Sequence, residues 1–168
     1  MKRRATVLMG LKLVLMGSLL TGCGFKLRGA YNYAFNSIAV QPFPGTPVAT
    51  ELRRTFGDSV KVLGRGDDPA KADAVVDVVQ ELREKIVVGL SSTGQVREYQ
   101  LRLRVFFQLR TPGGKELIPK TEIVQQRDIS FNESQVLAKE AEEGLLYREM
   151  QTDIVQQIMR RLSAVRSL

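Results

Sequence analysis

Cys23 is the single cysteine of the 168-residue chain, and histidine is absent. A lone thiol can carry a covalent group but cannot close a disulfide within the chain. Without histidine there is no Ser-His-Asp triad, no Cys-His pair and no zinc site of the Cys/His kind. Carboxylate, lysine and tyrosine chemistry remains, together with anion binding by guanidinium groups, which grip phosphate in bidentate fashion. The residues spaced for such binding are Arg102, Arg104 and Arg110, which share one parity, with Arg97 on the other, Arg83 and Lys85 upstream and Lys139 downstream. Glu140, Glu142 and Glu143 form an acidic trio, but helical spacing leaves them on a surface near a helix N-terminus, where they complement its dipole instead of forming an acid-base pair. Gly64-Arg65-Gly66 lacks the glycine and lysine that complete a phosphate loop and marks a turn.

Cys23 is placed by what precedes it. Lys2, Arg3 and Arg4 form a basic n-region, and residues 7–20 are apolar apart from Gly10, Lys12, Gly17 and Ser18, the layout of a secretory signal. Leu20-Thr21-Gly22-Cys23 then resembles the lipobox of bacterial lipoproteins, in which small residues admit the signal peptidase and the thiol takes the lipid. An ordinary secretory signal or a membrane-spanning anchor is the alternative, but a span needs about 20 mostly apolar residues and this run is shorter and carries Lys12. The expected organisation is a signal peptide over residues 1–22, a lipidated tether over 23–36 and one domain over 37–168. No cofactor is expected beyond the covalent diacylglycerol and N-acyl lipid on Cys23; several acyl chains hold a protein to a bilayer far better than one.

The signal takes four of the chain's 25 cations and none of its 18 acids, so the net charge falls from +7 to +3 in the remainder. That balance, with export, argues against a nucleic-acid partner and suits an anionic lipid or glycan.

The elements that must position the basic residues follow from periodicity. Phe25 to Arg28 alternates apolar and basic residues, as a strand edge or a simple leash. Tyr31, Tyr33 and Phe35 repeat at period two before a first core strand, Ser37-Ile38-Ala39-Val40. Thr46 caps a helix with Pro47 in its first turn and Val48, Leu52 and Phe56 on one face. A brief strand at Val60, Val62 and Leu63 and a Gly/Asp/Pro-rich loop over residues 64–71 come next. Three long strands then form an antiparallel meander. On the first, Val76, Val78, Leu82, Ile86 and Val88 face the core and Asp77, Glu81, Arg83 and Lys85 face away. On the second, Tyr99 to Leu109 point inward at alternate positions with Arg97 on the same parity, while Arg102, Arg104, Phe106 and Arg110 point out. The third carries Ile123, Arg127, Ile129 and Phe131. A final helix over residues 134–162, with Asn132 and Gln135 at capping-box spacing, buries Leu137, Ala141, Leu145, Ile154, Ile158 and Leu162. The predicted fold is an α+β two-layer sandwich: a mixed sheet containing the three-strand antiparallel meander, with two helices packed on one face.

Gly22-Cys23-Gly24-Phe25-Lys26-Leu27-Arg28 at the anchor, Gly94-Gln95-Val96-Arg97-Glu98-Tyr99-Gln100 at the second meander strand, and Leu137-Ala138-Lys139 and Arg148-Glu149-Met150 in the last helix resemble the LptE family of lipopolysaccharide-assembly lipoproteins. The resemblance implies a non-enzymatic plug seated inside the β-barrel of LptD, which helps that barrel fold and moves lipopolysaccharide to the outer leaflet. It implies anchorage in the outer membrane from the periplasmic side, with the domain in the barrel lumen. Gly24 in place of Asp after the cysteine agrees with that sorting. In the family, a lysine opening the last helix and a basic residue just before the Gly-Gln turn contact lipopolysaccharide. Lys139 matches the first. Ser92 and Thr93 stand at the second, with Arg97 nearby.

Blander readings stand beside these. Arg102 and Arg104 fit lipopolysaccharide phosphates, a solvated strand face paired with Glu81, Glu84 or Glu98, or a face against the barrel wall. Phe106 among them favours an interface. Lys139 also fits a surface pair with Glu142 or Glu143. Ser91, Ser92 and Thr93 form either a plain turn or a partner contact. A generic envelope scaffold or lipid carrier without a barrel partner is the alternative function.

Overall fold

A computed structural model describes residues 31–42 and 45–168. The lipobox and Cys23 lie outside the described residues, as do Phe25 to Arg28. The packed body runs from Tyr31 to Leu168, so it takes in residues 31–36, which the sequence reading counted with the tether. Tyr33 stacks on Phe35 with ring centroids 5.1 Å apart and meets Phe56 edge-on at 5.6 Å. The Tyr31 hydroxyl donates to Gln156 at 3.2 Å.

Strand β1 (Ser37–Gln41) is followed by helix α1 (Pro47–Thr55), the short strand β2 (Lys61–Val62), and three long strands β3 (Ala74–Leu90), β4 (Val96–Arg110) and β5 (Glu116–Ser130). Helix α2 (Val136–Ser163) closes the chain. The sheet order is β2-β1-β3-β4-β5. β1 is parallel to both neighbours, while β3, β4 and β5 form the expected antiparallel meander. β1 starts where Asp73 accepts the backbone N–H groups of Asn36 and Ser37, both at 2.9 Å. Those two bonds hold the Asp73 carboxyl below its usual pKa. α1 starts as its sequence dictates: the Thr46 side chain accepts from the Ala49 N–H and Pro47 occupies the first turn.

Both helices lie on one face of the sheet and seal a core at the end of the molecule that holds β1 and β2. Ile38, Val48, Leu52, Ile154, Ile158 and Leu162 are fully enclosed there, each worth about 1.5–3 kcal/mol of apolar burial. Along β4 the alternation is as expected, with Leu101, Leu103, Val105, Phe107 and Leu109 all at zero exposure.

Three expectations are corrected. First, a β-bulge at Val79 breaks the register between Val78 (opposite Phe107) and Gln80 (opposite Phe106). One extra residue inverts the facing of everything after it. Glu81, Arg83 and Lys85 therefore pair with Val105, Leu103 and Leu101 on the helix side, while Leu82 and Ile86 pair with Arg104 and Gln100 on the helix-free side. Ile86 and Val88 are exposed instead of buried. The flip is rewarded at α1: Glu81, now on the helix side, accepts the otherwise orphaned Val48 N–H at 3.1 Å.

Second, the stripe on the first half of α2 is rotated. Leu137 and Leu145 are 82% and 53% exposed, and Ala141 is exposed. Lys139, Glu143, Tyr147 and Met150 face the sheet instead, because opposite them β3 offers charged groups. Third, Asn132 does not form a capping box with Gln135. Its side chain accepts from the Ser134 N–H at 3.0 Å and caps a 3₁₀ turn, Glu133–Gln135, that precedes α2.

Candidate functional site

Beyond the Val79 bulge the two layers meet through polar groups. Lys85 Nζ lies 2.7 Å from Glu143 of α2 and 4.5 Å from the centre of the Tyr99 ring. Arg83 reaches Gln151 at 3.5 Å and sits 5.2 Å over the Tyr147 ring. The Tyr147 hydroxyl donates to the Glu84 carbonyl at 2.8 Å. Burial and the charges of Glu143 and Glu84 raise its pKa against a partly opposing Arg83, keeping the proton on this donor. Lys139 donates to Ser130 at 3.0 Å and to Glu142 at 2.9 Å, with its side chain 18% exposed.

Between the first turns of α2 and the sheet these groups leave an open cleft of about 560 Å³ lined by Arg83, Lys85, Glu140, Glu143 and Tyr147. It continues into a smaller hollow of about 230 Å³ that shares Lys85, Glu140 and Glu143 and adds Tyr99, Phe131 and Lys139. A third hollow, about 270 Å³, lies at the tip between Arg97 and the segment Asn132, Glu133 and Ser134. Arg97 is exposed, and its backbone carbonyl accepts the Phe131 N–H at 2.7 Å. Lys139 and Arg97 thus belong to one end of the molecule, on the two sides of residues 131–134.

Arg102 and Arg104 lie on the opposite, helix-free face. Arg104 lies 2.6 Å from Glu122 and 3.3 Å from Glu84, and Arg102 lies 3.7 Å from Glu84. The hydrogen bonds from Glu122 and Glu84 raise the Arg104 pKa further. Of the cross-strand partners expected for these arginines only Glu84 serves: Glu81 has turned to α1, and Glu122 takes a place the sequence reading did not give it. Arg102 Nε is enclosed and has no hydrogen-bond partner among the described residues. Phe106 stands between Arg104 and Lys120, whose cationic groups are 5.6 and 5.4 Å from its ring centre. Arg110 is held by Asp77 at 2.8 Å.

In the β3–β4 turn, Ser91 Oγ accepts the N–H groups of Thr93 and Gln95 and contacts the Thr93 hydroxyl at 2.9 Å. Gly94 takes φ +80°, a conformation that glycine adopts without strain. Ser92 and Thr93 are exposed at the tip.

The structure therefore brings Lys139, Arg97 and the turn 91–94 to one end and leaves Arg102, Arg104 and Phe106 on a separate face. Lys85, Arg83, Tyr99 and Tyr147 were not singled out as cleft residues from the sequence. Their meeting depends on the bulge, and no glycine or proline marks it in Val75-Val76-Asp77-Val78-Val79-Gln80. Among the described residues no group of three or more His, Cys, Asp or Glu is placed to hold a metal ion, and no helix is long and apolar enough to cross a membrane.

Residues 35–162 match the family model described as LptE, lipopolysaccharide-assembly. The chain belongs to the LptE family. LptE relatives include the LPS-assembly lipoprotein LptE of Photorhabdus laumondii, 27% identical over 97% of this chain and 87% of that one. The LPS-assembly lipoprotein LptE of Yersinia enterocolitica is 29% identical over 86% and 70%. Among solved structures, lipoprotein B of Nitrosomonas europaea superimposes with a TM-score of 0.69 at 36% identity, covering 84% of this chain and 91% of that one. Rare lipoprotein B of Shewanella oneidensis shares the fold with a TM-score of 0.64 at 24% identity, over 77% and 95%. The mixed sheet, meander and paired helices are thus the LptE architecture.

Proposed function

We propose that this chain is an outer-membrane lipoprotein, lipidated on Cys23, that plugs the barrel of LptD and binds lipopolysaccharide during its delivery to the outer leaflet. The LptE family match over residues 35–162 carries the reading. The domain works by binding and positioning and performs no catalysis of its own. Lys139 and Arg97 supply the lipopolysaccharide contact at the tip. Arg97 has an exposed guanidinium, and Lys139 can exchange Ser130 and Glu142 for phosphate oxygens. On the helix-free face Arg102 and Arg104 are engaged by Glu84 and Glu122, so an anion there must first displace a carboxylate. We assign that face, with Phe106, to the barrel wall, where the unpartnered Arg102 Nε can find an acceptor. Ser91, Ser92 and Thr93 extend the contact with the barrel.

The test has two parts. Tagged mature protein is expected to co-purify an LptD-type barrel from native outer membranes; recovery of the lipoprotein alone sinks the reading. The pair Lys139→Asp and Arg97→Asp is expected to weaken lipopolysaccharide binding by about tenfold or more, as losing charge-assisted bonds predicts, with unchanged far-UV circular dichroism and Tm. Undiminished binding in a direct titration removes the site assignment.

A further inference from the structure

The two long borders of the meander are built differently. β1 pairs with β3 only from Ala74 to Asp77, so beyond that point β3 has β4 on one side and no strand on the other among the described residues. Between the bulge at Val79 and the second register break after Val87, residues 80–87 form a regular extended stretch. A row of backbone N–H and C=O groups faces outward there. The side chains along this border are apolar and open: Val79, Ile86, Val87, Val88 and Leu90 are 38–62% exposed and make up half of the exposed large hydrophobics. β5 is the other border, and it is blunted. Pro119 removes a donor, Lys120 adds a charge, the register breaks beside them, and of its large apolar side chains only Val124 is that exposed. Pro and Lys on an edge are the usual protection against strand addition; β3 lacks both between Val79 and Arg83.

We propose that residues 80–87 of β3 receive an extended segment of a protein partner as an added β-strand. The occupant follows from the chemistry. A row of unpaired backbone donors and acceptors at strand spacing is matched by another extended backbone, and flanking apolar side chains give such an addition its affinity. A second copy of this chain fits poorly. An antiparallel pairing that keeps both helix layers on one side, and uses most of the stretch, sets Arg83 or Glu84 opposite itself, and like charges directly opposite destabilise a sheet. The partner strand therefore carries apolar residues beside Leu82 and Ile86 on the helix-free side, and accommodates Arg83 and Lys85 on the other. The inference rests on the proposed barrel partnership, and the segment is one that the barrel's own hydrogen bonding leaves free, such as a loop.

Amide hydrogen exchange on the full mature lipoprotein, alone and in its co-purified complex, tests this. In the complex, the amides of residues 82–87 that point away from β4 are expected to exchange at least about tenfold more slowly than in the lipoprotein alone, as newly paired amides do. The same amides of β5 residues 122–128 should change less. Ile86→Lys, at an exposed position, should lower recovery of the complex while Val124→Lys on the other border does not, with the same Tm for both. A complex that forms with the β3 amides still fast overturns this inference and leaves the barrel partnership standing. Failure to recover any complex overturns both. Protection already present in the lipoprotein alone overturns it in favour of the chain's own N-terminal segment if independent of concentration, and of a second copy if it grows with concentration.

Discussion

The two ends of this sandwich are built from the same strand and the same helix in opposite ways. Near β1 and β2, α2 meets β3 and β4 through Met150, Ile154, Ile158 and Leu162, all fully buried, and the polar groups stay outside. Beyond Val79, α2 meets the sheet through Lys139, Glu143 and Tyr147, and the apolar side chains, Ile86, Val88, Leu90, Leu137 and Leu145, stand in solvent. The first end is what a domain needs to fold alone. The second is organised around ion pairs and an open cleft, and a single extra residue at Val79 separates the two. An interior of this kind adds little stability of its own, and it places cations and rings where a ligand or partner can reach them.

That contrast can be broken or sharpened by substitution. Ile154→Ala, in the sealed end, should cost about 2–5 kcal/mol in urea unfolding, the usual cost of an aliphatic truncation in a closed core. A loss below about 1 kcal/mol would mean that the core is looser than it looks. At the open end, a double-mutant cycle on Lys85→Ala and Glu143→Ala should give a coupling below about 1 kcal/mol, since Lys85 is 38% exposed and the pair is well hydrated. A coupling of core size would erase the distinction between the ends. Smallest of all, Leu137→Ser with Leu145→Ser should shift stability by no more than about 0.5 kcal/mol. A larger loss, read by the same unfolding curves, would place these leucines in the protein's own core after all.

The same contrast marks how far the sequence could be read. The order and type of every element, the inward face of β4 and the capping of α1 by Thr46 were legible, because period and turn chemistry agree there with the core that forms. Leu82, Ile86 and Val88 on β3 and Leu137, Ala141 and Leu145 on α2 also keep good periods, yet both sets point away from that core. Period reports that one face is apolar and cannot say what covers it. The bulge was hidden because Val79 sits in a run of valines, any of which fits either face. Its reward, the carboxylate of Glu81 on the Val48 N–H, spans 33 residues. Of the site, Lys139 and Arg97 were found through the family motif, whereas Lys85, Tyr99 and Tyr147 become neighbours only once the register is inverted. The ion pairs of Arg104 with Glu84 and Glu122 were half visible, since one partner lies on each neighbouring strand.

The order of assembly follows from the connectivity of the sheet. β3, β4 and β5 are joined by tight turns in which Ser91 and Thr111 donate their N–H groups to the Gln95 and Lys115 carbonyls, both at 2.8 Å, so the meander closes through local contacts alone. The start of β1 must find Asp73 across 36 residues, and Gln151 of α2 must find Glu51 of α1 across 100. Loop closure of that length slows pairing. A chain emerging N-terminus first therefore completes its sealed end only after its last residues have arrived, and until then the meander stands with its inner face bare. For an exported protein, this is the interval in which a chaperone or an early-binding partner has most to offer.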